Sequence, residues 1–499
     1  MNEPTPTSIQ PTSQGQTEAD LLINLVTEKD FKFFLDQHGQ ACFVDPAKPF
    51  VAIKIDSESA FSVLAKEYYN EYRKAVPKST ISKASYTLKG LTEIQGSREF
   101  VHNRIAQLPD QIIYDLGDDE NVVIVDSEGW RIVQESPVFF RRFNHQQVQV
   151  KPERGGRIHE FLKYINVKDE ASQLLILTYL PTAFFSDIER PILLMHGPEG
   201  SGKSTCFGFI RSIIDPSILE SLDIKKNTDE LAIQANEHYC FFIDNVSYLN
   251  QEISNSLCRF VTGEAYAKRK LYTDDTTFMM SFKRLVGLNG VAQFASAPDL
   301  LDRSIIINLR RLNDTERASN RELKRNFERE KSQLFGAVLD LVSTVMKTAH
   351  DLQFSHLPRL ADYFRYGCAV TQGLGISIDQ FENIYQANVD LQKEESLEAS
   401  PIALIIRTFI DSHGNWSGPS AQLYGVLMPT ATRLGLERYV PAITVWLIRK
   451  IKTVENALFR AGIGIEVAKI NGERCITISK IAQDTTDSIS LETTPQEVV

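Results

Sequence analysis

One short glycine-rich segment restricts the possible folds of this chain more than any other feature. An apolar run at 192–195 precedes it, and a helical stretch follows it and ends at Asp215-Pro216. A phosphate-binding loop requires this context, because it lies between a buried strand and the N-terminus of a helix. The segment therefore predicts an α/β domain with parallel strands. It matches the pattern G-x-x-x-x-G-K-[ST] and consists of Gly197, Pro198, Glu199, Gly200, Ser201, Gly202, Lys203 and Ser204.

The same segment predicts which ligand is bound. Its glycines allow backbone N–H groups to point at a phosphate, and the following helix adds positive potential at its N-terminus. We expect residues 197–205, the last of which is Thr205, to bind the phosphates of ATP. Lys203 is expected on the β- and γ-phosphate oxygens and Ser204 on Mg²⁺. The alternative is a chance match in a Gly-rich turn, which the flanking strand and helix argue against.

Two further apolar runs end in polar residues that suit the same site. Asp244 follows the run at 239–243 and is expected to be the second protein ligand of Mg²⁺. Asn289 follows the run at 285–288, and ligands of open α/β sheets bind at the carboxyl ends of the strands. We expect Asn289 to orient the attacking water or to contact the γ-phosphate. The alternatives are that Asp244 only caps a strand and that Asn289 forms a turn.

The overall composition excludes several classes of protein. The 499 residues include 54 basic and 64 acidic ones, and the net charge of −10 argues against general adhesion to nucleic acid or anionic lipid. No apolar run reaches the ~18 residues of a membrane span, and residues 1–16 lack the features of a signal peptide. We therefore expect a cytoplasmic protein without a membrane partner. The six cysteines are too far apart for a zinc site or a disulfide framework, and three isolated histidines are expected to be structural or solvent-facing: His102, His145 and His159.

Changes in pattern along the chain predict six segments. Four buried runs, at 192–195, 239–243, 285–288 and 304–307, predict the parallel sheet of a P-loop α/β core. Alternation around Ser127-Glu128-Gly129 and around Asn471-Gly472 predicts two hairpins. The predicted segments are a disordered tail at 1–20, an N-terminal α+β region for oligomerisation or DNA entry at 21–180, the core at 181–312, a helical lid at 313–399 with a helix or helix pair at 316–352, a winged-helix domain at 400–481 and a disordered acidic tail at 482–499.

A third set of residues extends the pattern beyond a P-loop. Together with the two strand ends, it resembles the superfamily 3 helicases of the AAA+ class. The type is that of poxvirus primase-helicases and of replication proteins from phages, plasmids and mobile elements. The resemblance covers about residues 111–478 and is strongest over 193–309. The residues that carry it are Thr262-Gly263-Glu264, Arg269-Lys270-Leu271-Tyr272, Phe278, Lys283-Arg284 and Asn289-Gly290.

The resemblance implies a DNA-binding hairpin. Residues 267–273 and 276–282 can pair around Asp274-Asp275. In the family such a hairpin lines the channel of a hexameric ring and grips single-stranded DNA. Cations along the phosphate backbone and an aromatic ring stacked on bases suit this role, and the alternative is a basic but purely structural ribbon. The residues predicted to contact DNA are Lys268, Arg269, Lys270, Tyr272, Lys283 and Arg284.

The resemblance also implies roles in catalysis. Arg303 resembles the family's arginine finger, which reaches across a subunit interface to the neighbour's γ-phosphate; the alternative is pairing with Asp299 or Asp302 in its own subunit. Asn245 stands where many AAA+ ATPases have a glutamate that polarises water. Either Asp244 acts through Mg²⁺, or another carboxylate such as Glu264 takes this role. The predicted catalytic residues are Lys203, Asp244, Asn245, Asn289 and Arg303.

The predicted winged-helix domain has its own basic character. Trp416-Ser417-Gly418 is expected to open a helix, and a later helix carries Arg449, Lys450, Lys452 and Arg460. Eight basic and four acidic residues lie between 433 and 474. This excess suits the phosphates of duplex DNA, and the alternative is a protein-protein adaptor.

These features predict an ATP-dependent replicative DNA helicase. We expect a homo-oligomer, a hexamer, that moves along single-stranded DNA at a fork during replication of a phage, plasmid or mobile element. No primase motif is found upstream of Gln111, so a separate primase or initiator is an expected partner. One alternative is an origin-binding or helicase-loading factor that uses ATP as an assembly switch. A P-loop kinase or metabolic NTPase is the other, and it would leave Arg269, Lys283 and Arg303 unexplained.

Overall fold

The structure of the chain is a computed structural model. In residues 266–269 and 277–280 only the backbone is described. Lys270, Tyr272, the Asp274-Asp275 turn, the Asn471-Gly472 turn and the predicted C-terminal tail therefore lie outside the described residues. The structure describes residues 16–167, 169–264, 266–269, 277–280, 282–290, 294–295, 297–312, 320–470 and 473–481.

The first part of the described chain, residues 18–98, is a small unit of helices and strands. Its sheet has the order β3-β2-β1-β4, antiparallel except where β1 pairs with β4. Helix α1 begins at Glu18, inside the predicted tail 1–20, because Thr17 caps it in a reciprocal capping box with Asp20. The elements are α1 (Glu18–Glu28), β1 (Lys32–Leu35), β2 (Ala41–Val44), β3 (Ala52–Lys54), α2 (Glu58–Tyr72), α3 (Lys78–Gln95) and β4 (Ser97–Arg98).

An antiparallel meander follows, with β6, β7, β8 and β9 side by side in chain order. The predicted hairpin around Ser127-Glu128-Gly129 is confirmed by the pairing of β8 with β9. The strands are β5 (Val101–His102), β6 (Ile105–Leu108), β7 (Gln111–Asp115), β8 (Val122–Asp126), β9 (Gly129–Val133) and β10 (Phe139–Phe140).

Helix α4 (Glu170–Thr182) connects this region to the next, after a 3₁₀ helix at Ile158–Tyr164. Its side chains from Leu174 to Leu180 are buried in the same hydrophobic core as Leu193 and Met195 of the following strand. The hydrophobic core thus runs across the boundary predicted at residue 180.

The central sheet is fully parallel, and all four predicted buried runs are strands. Its order, β12-β15-β11-β16, places β11 between β15 and β16. Strands β13 and β14 form the predicted antiparallel hairpin immediately before β15. The elements are β11 (Ile192–His196), α5 (Lys203–Ile214), α6 (Thr228–Glu237), β12 (Cys240–Ile243), α7 (Gln251–Thr262), β13 (Tyr266–Arg269), β14 (Thr277–Met280), β15 (Leu285–Gly290), α8 (Pro298–Leu301) and β16 (Ser304–Asn308).

Three helices form the predicted helical segment: α9 (Asn320–Thr348), α10 (Ala361–Gly373) and α11 (Ile378–Glu398). The segment predicted as a helix or a helix pair contains one long helix, α9. Helix α11 covers the open edge of the sheet, because Asn388 bonds both the N–H and the C=O of Ile306, at 3.0 and 2.8 Å. Gln392, one turn later, donates to the carbonyl of Ser304. These amides satisfy backbone groups that an edge strand would otherwise expose.

The C-terminal domain, residues 401–481, combines three helices with a three-stranded antiparallel sheet of order β17-β19-β18. The prediction that Trp416-Ser417-Gly418 opens a helix is wrong. These residues form a strand that pairs with β19, with Trp416 opposite Ile478. The elements are α12 (Pro401–His413), β17 (Trp416–Pro419), α13 (Leu423–Leu434), α14 (Thr444–Arg460), β18 (Ile463–Ile470) and β19 (Glu473–Lys480).

All six cysteines are unpaired, and all except Cys475 are buried. Within the described ranges, no helix combines the length and apolar character that crossing a membrane requires.

Candidate functional site

The glycine-rich loop connects the carboxyl end of β11 to the first turn of α5. Gly200 and Gly202 have φ angles of +75° and +82°, a left-handed conformation that glycine adopts without steric cost. A Cβ atom at Gly197 would lie 2.7 Å from the carbonyl oxygen of Leu309 and 2.8 Å from Ser201 Oγ. The chain can therefore turn this tightly only with glycine at 197. Asn166 braces the loop, since its Nδ2 donates to the carbonyls of Ser201 and Arg310 at 2.9 and 2.7 Å.

Lys203 is the first residue of α5 and folds back over the loop. Its Nζ donates to the carbonyls of Gly197 and Pro198 at 2.7 and 3.0 Å. Partial burial lowers the pKa of Lys203, while the carboxylates of Asp244 and Glu199 act in the opposite direction. The Asp244 carboxylate thus lies near enough to the Lys203 ammonium to act on its pKa. The loop residues Pro198, Glu199 and Gly200 are exposed, and so is Ser204. Thr205 is half-buried.

Asp244 stands at the carboxyl end of β12, half-buried beside the loop. Its backbone N–H donates to the carbonyl of Leu222 at 3.0 Å, and Ser221 Oγ lies 3.3 Å from Asp244 Oδ2. The carboxylate therefore has only one hydroxyl partner in the described structure, and its remaining lone pairs suit a hard cation such as Mg²⁺. Ser204 and Asp244 are the residues that would hold this ion.

Asn289 and Asn245 are joined by a hydrogen bond. Asn245 has a left-handed φ of +53°, and its backbone N–H donates to Asn289 Oδ1 at 3.0 Å. Asn289 is fully buried next to β11, opposite Met195, and its Nδ2 has no partner among the described residues. Asn289 therefore holds the turn after Asp244 with its oxygen and leaves its two N–H groups unpaired.

Two buried ionisable residues beneath the loop were missed by sequence reasoning. His196 immediately precedes Gly197, and its Nδ1 lies 3.9 Å from Glu395 Oε1 of α11. Burial lowers the pKa of His196 to about 4 and raises the pKa of Glu395 to about 7. No sequence pattern links two residues so far apart in the chain, although a histidine that ends a buried strand beside a P-loop is itself unusual.

Arg303 lies at the opposite edge of the sheet from the glycine-rich loop of its own chain. Its carbonyl accepts from the N–H of Ile192, the first residue of β11, whereas the loop follows the last residue, His196. Four residues of strand correspond to roughly 13 Å. The guanidinium forms an ion pair with Asp299 and also donates to the Asp299 carbonyl at 3.2 Å. In the single chain, Arg303 is therefore paired with Asp299 of the same subunit.

The segment around Arg303 is tied to two other parts of the molecule. Arg359 Nη2 lies 3.1 Å from Asp299, and Nη1 of the same residue pairs with Asp302. Arg460, in the last turn of α14, pairs with Asp302 and donates to the carbonyl of Pro298. Asp299 and Asp302 are therefore shared between the predicted arginine finger, the helical segment and the C-terminal domain.

The predicted DNA-binding residues divide into three groups. Lys283 is half-exposed at the base of the hairpin, where its Nζ donates to the carbonyl of Asp187. Lys268 and Arg269 belong to β13, of which only the backbone is described, and Lys270 and Tyr272 lie outside the described residues.

Arg284 is a correction to the prediction. Its guanidinium is buried and donates to the carbonyls of Ala235 and Asn236 at 2.7 and 2.9 Å, so it is not available to DNA. Burial lowers the pKa of Arg284 to about 9. The side chain satisfies carbonyls at the end of α6 and fixes the base of the hairpin to the core. Glu264, the candidate base, is exposed and lies 3.9 Å from Arg259 Nε.

These features define an α/β domain with a P-loop at the carboxyl edge of a parallel sheet, followed by an acid at the end of a second strand. Residues 158–393, slightly under half of the chain, match the family described as the actinomycete integrative conjugative element replication protein. The matching stretch contains the whole central sheet and most of the helical segment. The chain is thus similar to a replication protein of a mobile element.

Comparison with other proteins adds little to this result. No curated protein sequence matches the chain. Apo structures of the NrS-1 C-terminal region are similar over 92–93% of this chain and 98–100% of theirs, with 12–14% identity and TM-scores of 0.39–0.44. TM-scores below 0.5 at this identity are too low to carry an argument about fold or function.

Proposed function

We propose that the protein is an ATP-dependent DNA helicase, a ring-forming AAA+ motor that moves along single-stranded DNA during replication of a mobile element. The observation that carries this proposal is the position of Arg303. It lies roughly 13 Å along the strand from the glycine-rich loop of its own chain, which supports a role at the nucleotide of a neighbouring subunit. Such a shared site requires a homo-oligomer, for which we propose a hexamer.

The residues of one chain supply most of the proposed nucleotide site. The backbone of 197–205 and the Lys203 ammonium would bind the phosphates, and Ser204 and Asp244 would hold Mg²⁺, which neutralises charge on the β- and γ-phosphates when bound. Asn289 keeps Asp244 and Asn245 in place and directs its free N–H groups at the same edge of the sheet. Asn245 cannot accept a proton, so the role of base falls to Asp244 or Glu264.

DNA contact is proposed for the hairpin β13–β14. The hairpin precedes β15, whose next-to-last residue is Asn289, so a change at the nucleotide has a short covalent path to the hairpin. Lys283 at the hairpin base is the described cation best placed to follow a phosphate backbone. Similarity to the replication-protein family supports replication as the setting.

Two measurements test the proposal. Lys203→Ala should abolish ATP hydrolysis, whereas Lys226→Ala, at an exposed lysine of the same domain, should not. Near-normal turnover by Lys203→Ala would refute the nucleotide site. The wild-type protein should displace a strand from forked DNA; ATP turnover without displacement would favour the origin-binding or loading factor, and turnover indifferent to DNA would favour a metabolic NTPase.

A further inference from the structure

The exposed face of helix α14 differs from the rest of this acidic protein. Its solvent-facing positions carry Val445, Trp446, Arg449, Lys452 and Asn456, and none of its exposed positions is acidic. Glu455, the one acid of the helix, is half-buried at the margin of this face. We call this surface the α14 face. Arg449 and Lys452 form no ion pair with a carboxylate of the described part of the chain.

Cations and aromatic rings alternate at the N-terminal end of this face. Trp446 is 60% exposed, and the Arg449 guanidinium lies 5.8 Å from its ring centre. Arg438 and Lys450 lie 4.8 and 5.4 Å from the ring centre of Tyr439, in the turn before the helix. Lys450 is also anchored by a 2.8 Å bond to the Tyr439 carbonyl. The rings therefore hold positive charge at the surface in defined positions.

The hairpin β18–β19 adds a second cationic feature. Lys469 and Arg474 are both exposed and stand directly opposite each other in the strand register. Like charges in this position destabilise a sheet. They lie on the same face as Val467 and Ile476, whereas Glu466 points to the other face, opposite Thr477. An anion bound between the two side chains would remove this cost.

Together these observations favour a polyanion as the partner. Ten basic and five acidic residues lie between 401 and 481, in a chain whose net charge is −10. The centre of a protein-protein interface is depleted in lysine, whereas Lys452 is exposed midway along the α14 face. A helix of 17 residues with one exposed face suits the major groove of B-DNA, and a hairpin that directly follows it suits the neighbouring phosphates.

We propose that the C-terminal domain, a winged helix, binds duplex DNA through the α14 face and the pair Lys469–Arg474. Arg449 and Lys452 contact phosphates at the groove, and Asn456 is placed to meet base edges. Val445 and Trp446 supply apolar contact of the kind that thymine methyl groups offer. This duplex site is separate from the proposed single-strand contact of the β13–β14 hairpin, and it deepens the proposed function, on which its role at a fork rests.

Fluorescence anisotropy of the full-length protein without ATP tests the inference, with a labelled duplex and with the same sequence as a single strand. The double variants Arg449→Ala/Lys452→Ala and Lys469→Ala/Arg474→Ala should each weaken duplex binding about tenfold or more and reduce its salt dependence by about two phosphate contacts. Single-strand affinity should change much less. The matched control is Arg407→Ala/Lys480→Ala, which removes two cations that pair with Asp411 in the same domain.

Three outcomes would overturn the inference. If neither double variant changes the affinity for duplex DNA, the site is excluded. If the control variant loses as much duplex affinity as the double variants, only the overall charge of the domain matters. A change of oligomeric mass with Trp446→Ala, with duplex affinity intact in the double variants, assigns the α14 face to contact between copies. The binding assay contains no ATP, so it does not depend on the proposed ATPase activity. A protein that binds duplex DNA as expected but does not hydrolyse ATP would refute the helicase proposal and leave the duplex site standing.

Discussion

Arg460 Nη2 lies 3.1 Å from Asp302 Oδ2, which joins the last turn of α14 to the residue next to Arg303. Arg359 reaches the same carboxylate from the helical segment. Asp302 is only 20% exposed, so the two arginines share a largely enclosed acceptor. The C-terminal domain is thus fastened to the segment that carries the predicted arginine finger, although the two are far apart in sequence.

This contact makes Arg460 a positioning residue whose loss can be measured. Arg460→Gln should lower kcat for ATP about two- to fivefold, because a partly exposed ion pair contributes roughly 0.2–1 kcal/mol. KM should stay nearly constant, since the residue holds the finger segment and not the nucleotide. Arg433→Gln, at an exposed arginine of α13, is the control. A rise in KM with constant kcat would contradict this role.

The separation of Arg303 from its own loop predicts complementation between two inactive chains. Arg303→Ala should bind ATP without hydrolysing it, because the shared site lacks its cation. An equal mixture with Lys203→Ala subunits should recover on the order of a quarter of wild-type turnover, since each mixed interface of the right order joins an intact loop to an intact finger. Steady-state ATPase rates of the mixture measure this. Absence of any recovery, with mixed oligomers present, would count against a shared site.

Lys283 should contribute to single-strand affinity. Lys283→Ala removes the half-exposed cation at the hairpin base, so binding of a labelled oligonucleotide should weaken severalfold and its salt dependence should fall by about one contact. Lys225→Ala, an exposed lysine elsewhere in the same domain, serves as the comparison. Equal affinity of the Lys283 variant and the wild type would remove this residue from the DNA path.

Arg284, in contrast, should matter for stability. Arg284→Met leaves the carbonyls of Ala235 and Asn236 without their donors in a buried place. Each buried group left unsatisfied costs about 1–3 kcal/mol, so the unfolding midpoint in urea should fall clearly. Lys283→Met is the neighbouring control. A midpoint unchanged by Arg284→Met would mean that the guanidinium is not bonded as described.

The pair beneath the loop predicts an unusual pH dependence. The pKa of His196 is lowered to about 4 by burial, so this residue stabilises the fold more as the pH rises from about 4 to its ordinary value near 6.5. The pKa of Glu395 is raised to about 7, so its contribution is present below its ordinary value near 4.5 and is lost as the pH rises towards 7. The two effects oppose each other over most of this window.

Replacing either His196 or Glu395 should reveal the pH dependence of stability that the remaining residue contributes. In His196→Gln, the free energy of unfolding should fall between pH 5 and 7 relative to the wild type, by at most about 3 kcal/mol. Urea titrations at the two pH values provide the measurement, and Glu395→Gln should show the opposite trend. Parallel pH profiles for His196→Gln and the wild type would disprove the assignment.

Sequence patterns predicted the features that depend on local spacing. The runs at 192–195 and 285–288 are strands because four consecutive apolar residues must be buried on both faces. Features that depend on distant partners were not predictable in this way. Trp416 becomes part of a strand because Ile478, much later in the chain, pairs with it. Arg284 looks like other cations of the hairpin region, and only its contact with the end of α6 shows that it is buried.

The candidate site also contains both kinds of feature, those set by local spacing and those set by distant partners. The glycine-rich loop, Lys203 and Asp244 could be named from spacing, because each is adjacent in sequence to the strand that positions it. The bond from Asn245 to Asn289 and the approach of Glu395 to His196 depend on strand order and on how α11 packs. Neither is written in any local pattern.

The coverage of the central sheet has a consequence for how copies of this protein meet. Asn388 and Gln392 occupy the outer edge of β16, and Leu222 bonds the outer edge of β12 through the carbonyl of Phe242 and the N–H of Asp244. The two outer edges are therefore partly covered, at Ser304 and Ile306 of β16 and at Phe242 and Asp244 of the β12 edge. Because covered edge groups cannot pair with a strand of another molecule, this coverage disfavours aggregation through the sheet.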